Sequence, residues 1–269
     1  MDLGADGGKW RVLLVPGGAS SAHGYFPGLG RSVGARAELM EVDPPGIGAE
    51  RDRRPLRLSE YAGELALAAR SRGSGRLVVV GHSLGGLIAL RLAVDEPELV
   101  AGLVLLDPTP PAPRSSLTAL SREMRLGVAL GPVGRRLWEA EAHRAVRGID
   151  MDGEQERALR VYTHRRFVAE SVRWARHLAG DGTVLARDLA AGKLPRIPAV
   201  VVSAGEHGQE SAVRRAHRQL TQWIPGADLQ IWDETRHPLH IQQPDRVASV
   251  VLALLQRAAD SLATGDGSS

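Results

Sequence analysis

The 269-residue sequence predicts an α/β protein, a doubly wound and mostly parallel sheet of about six strands into which a helical segment is inserted. Three observations carry this expectation. Short apolar runs bounded by Gly, Pro or Asp recur along the chain, helical patterns lie between them, and one interval is far longer than a crossover needs.

The runs fall at residues 12–15, 39–42, 77–80, 103–106, 200–202 and 229–232. Each is too short for a helix and apolar enough to be a strand buried on both faces, as in a parallel sheet. Helical periodicity covers 61–70, 84–94 and 212–220. Pro244 opens a last helix that carries Val247, Val250, Val251, Leu254 and Leu255 on one face. Such alternation puts helices on both sides of the sheet. Roughly ninety residues separate the fourth run from the fifth. Within them 111–190 reads as helical throughout, with Leu126, Leu130, Leu137, Trp138, Val161, Phe167 and Trp174 among its apolar positions. We therefore expect a helical cap at 111–190 on a core formed by 1–110 and 191–269.

Composition narrows the function classes. The chain has no cysteine, which excludes disulfides, zinc-thiolate sites and a cysteine nucleophile. The net charge is +3, and all of the 34 basic residues except Lys9 and Lys193 are arginines. With 4% aromatic residues and no basic patch interleaved with them, a nucleic-acid surface is not indicated. No apolar run approaches the length that spans a bilayer, and the first ten residues lack an apolar signal segment, so the expectation is a cytoplasmic protein without membrane contact. The cap segment carries +4 and the remainder −1. Alternating Arg and Glu there read as solvated helix faces, and a docking surface for an anionic partner is the sharper alternative.

The strongest local signal is Leu77-Val78-Val79-Val80-Gly81-His82-Ser83-Leu84-Gly85-Gly86-Leu87-Ile88-Ala89-Leu90, an apolar strand that runs through G-x-S-x-G into an apolar helix. A serine on so tight a turn has a strained backbone, and Gly81 and Gly85 must be small for strand and helix to approach. The new helix directs unpaired N–H groups and its positive dipole end toward the serine oxygen. This segment resembles the nucleophile elbow of the α/β-hydrolase superfamily, in its serine esterase and thioesterase-like branch with a helical cap. The resemblance extends from Val12 to Ala259.

It implies Ser83 as nucleophile, with an acid and then a histidine to follow in the chain. Of nine histidines, His237 is the best placed, in the loop between the sixth strand and the final helix. Arg236-His237-Pro238-Leu239-His240-Ile241-Gln242-Gln243-Pro244 resembles the family's histidine loop, with Arg236 where glycine is common. His240 matches the family's second histidine, for which a loop-packing role is expected, and His82 should pack beneath the elbow. The acid commonly follows the preceding strand in a G-x-x-D pattern, but here that segment is Gly205-Glu206-His207-Gly208. A second location in the family is the strand end after the elbow helix, where this chain has Leu105-Leu106-Asp107-Pro108. Asp107 is accordingly the expected acid, Glu206 the alternative, and His207 a residue of the rim.

The first loop, Val15-Pro16-Gly17-Gly18-Ala19-Ser20, is similar to the family's H-G-x segment with Pro16 in place of histidine. By matching positions, the N–H groups of Gly18 and Leu84 form the oxyanion hole. Asp43-Pro44-Pro45-Gly46-Ile47-Gly48 resembles the family's D-x-P-G-x-G loop, with a structural role expected. About ten residues precede the first run, so the family's leading antiparallel hairpin is expected to be missing.

The resemblance implies a serine hydrolase that cleaves a carboxylic ester or thioester through an acyl-enzyme, needing neither metal nor organic cofactor. A small-molecule or carrier-bound acyl substrate is expected. One refinement is a discrete thioesterase that releases a hydrophobic, polyketide-like chain from an acidic acyl carrier protein. Two other classes stay open: a lyase, cyclase or acyltransferase on the same scaffold, and a ligand-binding protein without chemistry.

Overall fold

The computed structural model describes residues 10–18, 20–47, 50, 53–54, 56–73, 75–111, 122, 125–126, 129–164 and 167–264, except the side chains at 167–170, 172–176 and 178–179. Ala19, Gly48, most of 112–128 and the side chains of Phe167 and Trp174 thus lie outside the described residues.

Six strands form one sheet: β1 (Trp10–Val15), β2 (Ala37–Glu41), β3 (Leu77–His82), β4 (Val100–Leu106), β5 (Ala199–Ala204) and β6 (Ala227–Trp232). Their order is β2-β1-β3-β4-β5-β6, and every neighbouring pair is parallel. Each run expected from the sequence therefore contributes a strand, extended at one or both ends, except that β2 stops at Glu41 and leaves Val42 in the loop before Pro44. Every residue of β1, β3, β4 and β5 is buried, which is why these segments read as unbroken apolar runs. The edge strands β2 and β6 are only partly buried and are the more polar ones.

Nine helices are described: α1 (Leu29–Val33), α2 (Leu58–Ser71), α3 (Leu84–Asp95), α4 (Pro132–Ala145), α5 (Gly153–Tyr162), α6 (Phe167–Ala190), α7 (Ala212–Trp223), α8 (Leu239–Gln242) and α9 (Pro244–Ala263). Alternate strand residues divide the core into two layers. Leu13, Val79 and Leu105 face α2, α3, α7 and the end of α6. Leu14, Val80 and Leu106 face α1, α8 and α9. Burying one such leucine or valine stabilises the fold by about 1.5–3 kcal/mol.

Helices α4 to α6 lie in the long interval between β4 and β5. Asp152 caps α5 by accepting from Glu154 N and Gln155 N, and the Gln155 side chain returns the bond to the Asp152 N–H. Two amides fasten this region to the histidine loop: Gln155 Nε2 donates to Ile241 O at 2.7 Å and Gln242 Nε2 to Ala145 O at 2.6 Å. Trp138 and Val161 are half-buried, whereas Leu126, Leu130 and Leu137 are exposed. The last turns of α6 belong to the core: Leu185 and Leu189 are buried in it, and Asp188 accepts from the buried Arg91 of α3 at 2.7 Å. Among the described residues no helix is long and apolar enough to cross a membrane.

The chain reverses its direction of winding between β1 and β3, whose carboxyl ends are in register, Val15 opposite Gly81. In an open parallel sheet this is where ligand groups converge. The loops leaving β1, β3, β4, β5 and β6 at that end carry every residue singled out by the sequence for chemistry.

Candidate active site

Ser83 stands between β3 and α3 with φ 52° and ψ −120°, a conformation that side chains rarely adopt. The surrounding glycines explain how the turn closes. A Cβ on Gly81 would lie 2.5 Å from Gly85 O, one on Gly85 would strike Val15 O, and one on Gly86 would lie 2.5 Å from Pro108 Cβ. The Ser83 N–H donates to Leu106 O at 3.0 Å, so the elbow is fastened to the next strand.

The loop after β1 presses on the elbow from the other side. A Cβ on Gly17 would lie 3.0 Å from Ser83 Cβ, and Gly18 has φ 56°. Leu84, the first residue of α3, is buried, and the first N–H groups of a helix have no intrahelical acceptor. Asp43 anchors this loop by accepting from Ser21 Oγ at 2.6 Å and Ala22 N at 2.8 Å, which gives the D-x-P-G segment a structural task. Gly46 supplies its turn with φ 88°.

Three side chains distant in sequence meet at the carboxyl end of the sheet. His237 Nε2 lies 3.0 Å from Ser83 Oγ, and His237 Nδ1 lies 2.5 Å from Asp107 Oδ2. A carboxylate can only accept, so Nδ1 carries the proton and Nε2 faces the serine hydroxyl as an acceptor. Glu206 reaches the same histidine differently, its Oε1 accepting from the His237 main-chain N–H at 2.7 Å. Asp107 meets the ring and Glu206 the backbone.

Asp107 is buried, with φ 42°, and has more partners than the sequence suggested. Its Oδ1 accepts from Ala204 N at 2.9 Å, and His207 Nε2 lies 2.9 Å from Oδ2 and 3.1 Å from Oδ1. His207, expected on the rim, instead turns inward onto the carboxylate. Burial alone would raise the Asp107 pKa, but the hydrogen bonds from His207 and His237 hold it well below the ordinary carboxylate value. Burial pulls His237 down, and the bond to Asp107 with the charges of Asp107 and Glu206 outweighs it, so His237 is the stronger base.

A buried aromatic layer supports the histidine loop. His82, fully buried beneath the elbow, donates from Nε2 to His237 O at 2.9 Å, so its Nδ1 must accept, at 2.8 Å, from the Tyr25 hydroxyl. Burial lowers the His82 pKa to about 3, which keeps this tautomer neutral. His240 stacks on Tyr25 with ring centroids 4.5 Å apart and lies 4.3 Å from His82. It packs the loop against Tyr25, Phe26 and His82, as the sequence implied. No sequence pattern marked Tyr25, because two aromatics in the short segment Gly24-Tyr25-Phe26-Pro27-Gly28 carry no periodicity.

Beside His237 a pocket of about 70 Å³ opens between the histidine loop and α4, lined in part by Trp138, Ala142, Tyr162 and Pro238. At its rim Arg236 bonds Glu141 of α4 at 2.8 Å, which employs the arginine that stands where glycine is common.

Residues 12–250 match the model of the alpha/beta hydrolase family. Among curated proteins, a putative carbamate hydrolase, RutD, of Klebsiella pneumoniae is 34% identical over 98 residues, covering 36% of this chain and 37% of that protein. A pimeloyl-[acyl-carrier protein] methyl ester esterase of Nitrosomonas europaea is 39% identical over 98 residues, with the same shares. The chain therefore spans well under half the length of these relatives. Among solved structures, MenH from S. aureus superposes with a TM-score of 0.72 at 14% identity, covering 93% of this chain and 94% of that one, a likeness of fold.

Proposed function

The chain belongs to the alpha/beta hydrolase family, and from that premise we propose that it is a serine hydrolase that cleaves carboxylic esters or thioesters. The observation that carries the reading is the continuous run of hydrogen bonds from Asp107 through His237 to Ser83 Oγ, 2.5 Å and 3.0 Å long.

His237 Nε2 takes the Ser83 hydroxyl proton as Oγ attacks the acyl carbonyl, and Asp107 keeps the ring in the required tautomer and stabilises the imidazolium that forms. The N–H groups of Gly18 and Leu84 receive the oxyanion, aided by the amino end of α3. His237 returns the proton to the departing alcohol or thiol. Water, deprotonated by the same nitrogen, then releases the acid and regenerates the serine. Helices α4 and α5 act as a cap beside this crevice, whereas the end of α6, expected in the cap, packs in the core, and the pocket beside His237 holds apolar parts of the substrate.

A relative named for acting on a pimeloyl-[acyl-carrier protein] methyl ester makes a carrier-bound acyl group a candidate substrate. The surplus of arginine in the cap suits an acidic carrier protein. A cytoplasmic setting fits such a substrate. Incubation of the protein and its Ser83→Ala variant with a panel of oxygen esters and acyl thioesters, read by product mass, tests the reading. Products that gain one water and disappear in the variant support it. Elimination products without added water, or turnover that survives in the variant, contradict it.

A further inference from the structure

We propose that His207 is a positioning residue of this site, and that the loop at 204–208 is a clamp that fixes an acid borrowed from the neighbouring strand. This rests on the assignment of Ser83, His237 and Asp107 made above.

In the family pattern, the turn after β5 supplies the acid itself. Here it supplies donors. Ala204 N–H and His207 Nε2–H both enter the Asp107 carboxylate, which reaches them from the end of β4. The same turn holds the histidine loop: Glu206 Oε1 accepts from His237 N, and Glu206 N donates to Thr235 O at 3.0 Å. Gly205 permits this approach, since a Cβ there would strike the Asp233 backbone.

The clamp is itself braced from within. Arg214 of α7 is 1% exposed, and its Nη2 donates to Ala204 O at 2.8 Å and His207 O at 2.9 Å. Its guanidinium therefore tethers both ends of the turn. His217, also of α7, lies edge-on to His207 with centroids 6.0 Å apart and is fixed by Ser203 Oγ and Pro108 O.

The consequence is chemical as well as mechanical. A carboxylate free to rotate about its terminal bond would present either oxygen to His237. With Oδ1 bound by Ala204 N and His207 bridging both oxygens, Oδ2 is aimed at Nδ1. The His207 N–H also disperses part of the carboxylate charge, so it limits how strongly Asp107 raises the basicity of His237. The groups that face His207 and set this balance are Asp107 from β4, His237 and Glu206 from the adjoining loops, and Arg214 and His217 from α7.

The test uses the full chain and an activated ester that the wild-type protein turns over and the Ser83→Ala variant does not. If no such turnover is found, the reading of the site fails first, and the clamp with it. Given that turnover, His207→Ala should lower kcat about tenfold or more, the size of effect expected when one hydrogen bond to a charged partner is lost. KM should hold within about twofold, as expected of a residue that acts through Asp107 rather than on substrate. The acidic limb of the pH profile should move to higher pH, because the full carboxylate charge then acts on His237. His207→Gln, whose amide nitrogen falls near the imidazole Nε2, should restore most of kcat and return the limb toward its wild-type position. If His207→Ala does not fold, His207→Phe fills the ring's space without the donor and gives the same comparison with His207→Gln. Equal losses in the variants with and without a donor, together with an unmoved acidic limb, would overturn the proposal.

Discussion

Ser83 and Asp107 share a left-handed backbone, φ 52° and 42°, that no other described residue except glycine adopts. They end adjacent strands, and the Ser83 N–H donates to Leu106 O while the Asp107 N–H donates to Val202 O at 2.7 Å. Strain at two strand ends is thus held by bonds to the next strand along, and it aims both side chains into one crevice. Such positions persist where the surroundings over-determine them.

This geometry separates stability from activity at position 83. Ser83→Ala and Ser83→Gly should both be inactive, since each removes the nucleophile. Only glycine relieves the backbone, so Ser83→Gly should be more stable than Ser83→Ala by about 1 kcal/mol. Urea denaturation of the two variants measures the difference.

Asp107 and Glu206 compete for the role of acid, and kcat discriminates between them. Asp107→Asn should lower kcat by about 10⁴, because an amide donates toward Nδ1 and leaves Nε2 protonated. Glu206→Gln keeps an oxygen able to accept the His237 main-chain N–H, so its loss should stay within about tenfold. Steady-state kinetics on one ester checks both.

The pH profile carries the sign of the His237 shift. The base must be neutral to act, and its pKa lies above the ordinary histidine value of 6.5 despite burial, because of Asp107 and the charge of Glu206. Activity should therefore fall as pH drops through a limb centred above 6.5. Glu206→Gln removes one cause and should shift that limb to lower pH.

Buried neutral histidines should make the fold sensitive to acid. Burial holds His82 near 3 and His240 well below its ordinary value. Unfolded, each takes a proton near pH 6.5. Their contribution is complete above that pH and shrinks as pH falls toward the native values, by up to about 1.4 kcal/mol per pH unit for each histidine. His237 has a raised value and is protonated in both states within this window, so it adds no slope. His240→Phe keeps a ring against Tyr25, and urea titrations at pH 6 to 5 should show the pH slope reduced by about one proton.

The parts of this account legible in the sequence are those written in consecutive residues. The run from Leu77 to Leu90 switches from strand to helix through glycines whose spacing the close contacts of Gly81 and Gly85 require. Likewise the histidine loop is readable because Pro244 opens α9 just after it. The sequence points to Asp107 as the partner of His237 and keeps Glu206 as the alternative, because β4, β5 and β6 lie side by side. Acids on either of two strand ends then reach one histidine, and only the third dimension shows which meets the ring. His207 escaped for the opposite reason: a histidine in a polar turn has no local signature, and its role comes from a carboxylate 100 positions earlier.

Most directly, the central claim is tested by labelling with an alkyl fluorophosphonate, followed by intact mass and peptide mapping. One adduct per chain on Ser83, formed far more slowly in His237→Ala, is the result expected. Label on another residue, or an undiminished rate in His237→Ala, would contradict the account.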